Sequence, residues 1–308
     1  MQETKDKLLG FLFDYKEWGV FLKRLVALLV IVVISFVLWI FPTSLIVAPF
    51  YSITTNSISP IKIYKDLEGK TTISAVKDGL QNLVDEGLVT NFTGVKLWID
   101  NKYYEQVGEI EMYRIAINTI ENNLARNRGT SGANKYIVQA RSDIYADYDL
   151  PIFTSYTTRV KQTIGSLDKY LQGLQRDKNK EMKDKDAMFI VNSDNLAEVL
   201  DKLKQQLQTN IMRKSSFFSD DDKFYRIKGN LLAMHRFLQG IDYDFKNKML
   251  DKTSYNENFV PILELTKSTI EQNHIVILES LGHLSKLEKN ANLVAQKLGE
   301  LRDKLRNG

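Results

Sequence analysis

Three histidines, a run of three aspartates and a large stock of carboxylates are the residues of this chain whose types could do chemistry. His235, His274 and His283 are the candidates for general acid-base work or metal ligation, yet no HExxH and no paired HxH accompanies them. They read as structural or surface residues. Asp220, Asp221 and Asp222 lack the alternating ligand spacing, the glycine and the closing Glu of a calcium loop. A solvated helix N-terminus, favoured by the helix dipole, explains them instead. The absence of cysteine removes thiolate nucleophiles, thiolate metal sites and disulfides together. No GxSxG, Walker or GxGxxG pattern occurs. Asn91-Phe92-Thr93 fits a glycosylation sequon, a pattern too common to carry weight. With 38 acidic residues, neighbouring carboxylates arise by chance, so no pair marks a hydrolase. The expectation is a chain with no catalytic residue, no metal and no cofactor.

The elements that would have to position a site are helical. Five prolines in 308 residues favour long helices, since Pro in a helix interior costs roughly 3 kcal/mol. Hydrophobic content of 44% beside 26% charged residues supports a packed core and argues against wholesale disorder. The 42 basic and 38 acidic residues are mixed along the chain, so nucleic acid is not implied as a partner.

One stretch organises the rest. From Leu25 to Phe41 the sequence LVALLVIVVISFVLWIF has Ser35 as its one polar residue. Extended through Ser44 it gives about 20 residues, which at ~1.5 Å each match a hydrocarbon core of ~30 Å. Residues 25–44 therefore read as a transmembrane helix with Leu25, Val33, Trp39 and Phe41 among its anchoring side chains. Pro49 directly after Ala48 should hinder a signal peptidase, which favours an uncleaved signal anchor. Lys5, Lys7, Lys16, Lys23 and Arg24 precede the run and the next basic residue is Lys62, so the positive-inside rule places the N-terminus in the cytoplasm. Residues 1–24 form a short tail whose Phe11, Phe13, Tyr15, Trp18 and Phe21 suit the headgroup zone. Residues 45–71 read as a linker, and residues 72–308 as a periplasmic all-helical domain.

Within that domain, Ile73, Val76, Leu80, Leu83 and Val84 share one face before Gly87 stops the helix. Val95 to Asn101 alternates and reads as a short strand or a buried aromatic connector. A helix follows over 105–126, a loop over 127–134, and another helix over 135–146. Val160, Ile164, Leu167, Leu171 and Leu174 form a seam in the helix that begins at Ser155. A matching stripe of Leu196, Leu200, Leu203, Leu207 and Ile211 lies in a helix that Asp194 or Ser193 would cap. Phe224, Ile227, Leu231, Met234, Leu238, Ile241 and Phe245 mark one further helix, and residues 260–272 a shorter one. The last helix carries the sharpest repeat. Ile277, Leu284, Ala291, Leu298 and Leu305 recur every seven residues, as do Ser280, Leu287, Val294 and Leu301. Such a stripe either packs into its own bundle or reaches a second protein or a second copy. Ile277, Leu284, Leu287, Val294, Leu298, Leu301 and Leu305 are thus a candidate interaction seam.

The strings LWIDN at 97–101, Asp194-Asn195-Leu196 after Phe189, FYRIKG at 224–229, and the leucine-rich terminal helix occur in an order that resembles the proteobacterial envelope proteins of domain-of-unknown-function family 2333. That resemblance implies a single-pass inner-membrane protein with a helical periplasmic portion, and supplies no activity or site. The expected architecture is all-α: one transmembrane helix and an elongated periplasmic bundle with a coiled-coil-like C-terminal helix. The expected role is a scaffold or structural subunit of a cell-envelope assembly, with the lipid bilayer and envelope proteins, or a second copy, as partners. A periplasmic ligand-binding or sensor bundle, with a pocket near Trp98, Tyr103 and Tyr104, is the alternative, and an envelope hydrolase a third.

Overall fold

The computed structural model describes residues 19–20, 22–35, 58, 60–88, 93–125, 132–146, 155–177, 187–214, 219–249, 255–272 and 282–307. The chain divides into two compact units, Met1–Tyr51 and Ser52–Gly308. In the first, residues 22–35 are helical and exposed throughout, including Leu25 and Val33 of the expected span and the basic pair Lys23 and Arg24. Trp39 and Phe41 lie outside the described residues. Among the described residues no helix is long and apolar enough to cross a membrane.

The regular secondary structure of the second unit is helical, with no strand among the described residues. Its helices are α1 (Lys70–Glu86), α2 (Thr93–Thr119), α3 (Lys135–Ile144), α4 (Ser155–Asp177), α5 (Ser193–Ile211), α6 (Asp220–Met249), α7 (Tyr255–Ile270) and α8 (His283–Asn307). Helix α6 is the hub. Residues 227–238 are buried without interruption, because α1, α2, α5, α7 and α8 all pack against it. Such all-round burial fits a sequence whose apolar stripe is joined by buried Gly229, Asn230, Ala233 and His235.

Local details correct the sequence reading in two places. The alternating segment 95–101 is neither strand nor connector but the first turns of α2, which begins at Thr93. Helix α5 is capped by Asn192, whose side chain accepts the Asn195 N–H at 2.7 Å, so Ser193 and Asp194 fall inside the helix. Asp220 to Asp222 occupy the first turn of α6, as the dipole argument requires. Helix α2 ends in a π-helical turn, Ile120–Leu124, and the Leu124 carbonyl accepts the Ile190 N–H at 2.8 Å. Gly69, at the start of α1, has φ +81 and offers no capping side chain. Asp244 of α6 supplies the cap from outside, accepting from Thr72 N at 2.8 Å and Thr72 Oγ1 at 2.6 Å.

The terminal stripe is internal. Leu284, Leu287, Val294, Leu298, Leu301 and Leu305 are all buried, and α8 packs against α5, α7 and α6 of the same chain. Ile277 lies outside the described residues. Three of the charges on α8 pair within this chain: Arg302 with Asp201, Arg306 with Glu198 at 2.8 Å, and Glu288 with Lys223 at 2.5 Å. The stripe, read as packing into its own bundle or as reaching a second protein or a second copy, is covered by α5, α6 and α7 within this chain.

Candidate functional site

The side chains that the fold brings together are not those the sequence marks. Helix α2 carries Lys102, Glu105, Glu109 and Tyr113 at intervals of three and four residues, hence on one face, and that face is turned toward α6. Helix α6 answers with Lys228 and Arg236. All six are buried: Glu105 and Glu109 are each 2% exposed, Lys102 and Arg236 each 5%.

Glycine makes the approach possible. A Cβ on Gly108 would overlap the Arg226 carbonyl oxygen, and one on Gly229 would overlap the Glu105 carbonyl oxygen. The two backbones therefore touch where α2 and α6 cross, and the charged side chains lie to either side of that contact.

The ladder runs from the α1 end inward. Lys102 Nζ donates to Glu86 Oε2 at 2.6 Å and lies 3.7 Å from Glu105 Oε1. Arg236 Nη1 lies 3.7 Å from Glu109 Oε2 and donates to the Tyr113 hydroxyl at 3.5 Å. Glu105 Oε1 and Glu109 Oε2 have no hydrogen-bond partner among the described residues. Burial consequently pushes both carboxyls up against the pull of their cations, Glu109 to about 8. Burial alone would lower Lys102, but Glu105, Glu109 and Glu86 hold it above its ordinary value. Lys228 is lowered, because burial outweighs Glu105. His235 is 2% exposed with both ring nitrogens unpartnered among the described residues, and burial drives it down to about 4. It is a neutral core residue at pH 7, as its lone position in the sequence indicates.

Glu109 gives a pH test. Its folded pKa of about 8 exceeds the ordinary 4.5, so between those values the folded state holds a proton that the unfolded chain has lost. Stability therefore falls as pH rises through that window and is lowest above it. Glu109→Gln keeps the neutral shape and removes the titration. The variant is expected to match the native protein near pH 4.5 and to exceed it by an amount on the order of a few kcal/mol at pH 8.5. Thermal unfolding at both pH values measures the difference; equal gaps at both would show that folding does not raise the Glu109 pKa.

Beside the ladder is a cavity of about 330 Å³. Its walls are the segment Pro60, Ile61 and Lys62, the α1 residues Asp78, Asn82 and Asp85, and Arg236 from α6. The wall segment is pinned to α1, since Thr71 Oγ1 accepts the Tyr64 N–H at 3.1 Å and Lys70 Nζ sits 4.5 Å above the Tyr64 ring. Gly79 opens the floor. A Cβ there would overlap the Tyr113 hydroxyl, so the missing side chain lets Tyr113 and Arg236 meet α1 directly.

This is not the pocket expected from the aromatic residues. Tyr103 is buried in an edge contact with Tyr104 at 5.1 Å, and the Trp98 side chain lies outside the described residues. The sequence does contain a signal for the ladder, charges at 102, 105 and 109 on a helix with apolar 107, 110 and 117, but charge at helical spacing ordinarily marks a solvated face. Among the described residues, no group of His, Asp and Glu could hold a metal ion.

A family model described as "Uncharacterized protein conserved in bacteria (DUF2333)" matches residues 15–209. No curated protein and no solved structure matches the chain.

Proposed function

We propose, since the chain belongs to the DUF2333 family of proteins conserved in bacteria, that it is a membrane-tethered helical bundle: an N-terminal signal anchor holds the body of residues 72–308 on the periplasmic side of the inner membrane, where it serves as a structural subunit of an envelope assembly. One observation carries the anchor. Leu22, Leu25, Val26 and Leu28 to Ile34 are large, apolar and exposed in the one helical stretch 22–35, whereas the exposed large apolar residues of the body, Ile63, Tyr145, Met212, Val260 and Leu293, are scattered. Contiguous exposed apolar surface needs a cover, and the sequence continues the same run to Phe41. Lys23 and Arg24 before it favour a cytoplasmic N-terminus.

Carbonate extraction of membranes tests the anchor. The full chain is expected to stay in the pellet, and Val30→Asp with Ile31→Asp to release it, since each charge at mid-span costs about 2.5–3.5 kcal/mol. Release of the unaltered chain would remove the anchor. The structural-subunit role is tested by crosslinking in intact cells, where capture of envelope proteins is the expected result and a chain that crosslinks to nothing contradicts it. A second reading, a ligand-binding bundle, is favoured by the cavity that Arg236 lines.

A further inference from the structure

The cavity takes its character from two opposed walls. On the α6 side is Arg236, 5% exposed, whose guanidinium makes one long hydrogen bond, to Tyr113, and one ionic contact, to Glu109, among the described residues. Most of its N–H donors are thus left for the space it lines. Glu109, pushed up by burial, is a weak counter-ion near neutral pH, while an arginine in a protein stays charged. The α1 side is of opposite sign. Asp78 has only a 3.9 Å contact with Lys77, and Asp85 is held in place by the Gln81 amide, which donates to it at 2.7 Å. Asn82 lies between them on the same face.

A simple anion drawn to Arg236 would face Asp78 and Asp85, and a simple cation drawn to those carboxylates would face Arg236 and Lys62. Only a solute bearing both charges satisfies both walls. The volume, about 330 Å³, corresponds to roughly ten waters at their ~30 Å³ share of the liquid, room for an amino acid or a dipeptide. We infer that this cavity binds a small zwitterion, an amino acid or short peptide, with its carboxylate on Arg236 and its ammonium on Asp78, steadied by Asp85. The inference rests on the ligand-binding reading and is independent of the anchor. The ligand would also clamp the segment 60–62 against α1.

Calorimetric titration of the full chain in mild non-ionic detergent tests it, with glycine, L-alanine, L-glutamate, L-lysine and dialanine as probes. At least one is expected to bind, with N-acetylalanine and alaninamide, which each carry one charge, weaker by about tenfold or more, since a charge-assisted contact is worth about 1.5–3 kcal/mol. Asp78→Asn and Arg236→Lys are each expected to lower that affinity by about tenfold. Asp78 is partly exposed, so its variant should melt like the native chain, which separates loss of binding from loss of fold. Equal binding of N-acetylalanine, or affinity unchanged in Asp78→Asn, would overturn the zwitterion while leaving a ligand site. No binding of any probe up to millimolar concentration would overturn both.

Discussion

Replacing Leu298 with Asp unfolds the chain. Leu298 is fully buried where α8 lies against α5 and α7. The substitution forfeits about 1.5–3 kcal/mol of apolar burial and sets a carboxylate among the buried apolar side chains of the core. The sum passes about 4 kcal/mol, a large part of the roughly 5–15 kcal/mol that holds a typical domain folded. Loss of helical circular dichroism at 25 °C, or a melting transition lowered by more than about 8 °C, is the expected measurement. Leu287→Asp should behave alike. Leu293→Asp, at a position on the same helix that is 41% exposed, is the control and should shift stability by less than about 0.5 kcal/mol. A Leu298→Asp protein that stays folded and merely loses association would return the terminal heptads to the role of an interface.

Gly229→Ala has the second-largest effect, and its sign is the reverse of the usual rule. In a helix interior Ala is better than Gly by about 0.5–1 kcal/mol. Here the new methyl meets a backbone carbonyl, that of Glu105, and no rotamer change can move it away. Helices α2 and α6 must separate instead, and that separation pulls apart the Lys102, Glu105, Glu109 and Arg236 ladder as well. The expected cost is about 3 kcal/mol, at the upper end of overpacking. Gly165→Ala in α4 has open space around it and should follow the rule, gaining about 0.5–1 kcal/mol. A Gly229→Ala variant that melts at or above the native temperature would show that the crossing has room for a methyl group.

The same contrast explains what the sequence could and could not disclose. Apolar stripes repeat, so Leu196, Leu200, Leu203 and Leu207 of α5 and the heptads of α8 announce helices without ambiguity. What a stripe packs against is not written in its period, and the α8 seam looks the same whether its partner is α5 or another chain. Helix α2 was obscured at both ends. Its start coincides with an alternating string that mimics a strand, and its finish is a π turn, which has no sequence signature beyond the helix it interrupts. The ladder was hidden for a different reason. Lys102, Glu105 and Glu109 follow the rule for an exposed face, and Gly108 reads as a weak point in a helix. Each becomes intelligible only when Gly229, far along the chain, is set against it.

That distance has a consequence in time. The contact that locks α2 to the hub joins Gly108 to a helix that contains Gly229, and ribosomes add about 5–20 residues each second, so on the order of ten seconds pass between the two halves of one crossing. For that interval α1 and α2 exist without the helix that buries their inner faces, and the nascent chain has no closed core to adopt. A polypeptide in that state needs protection from its neighbours until its last third arrives.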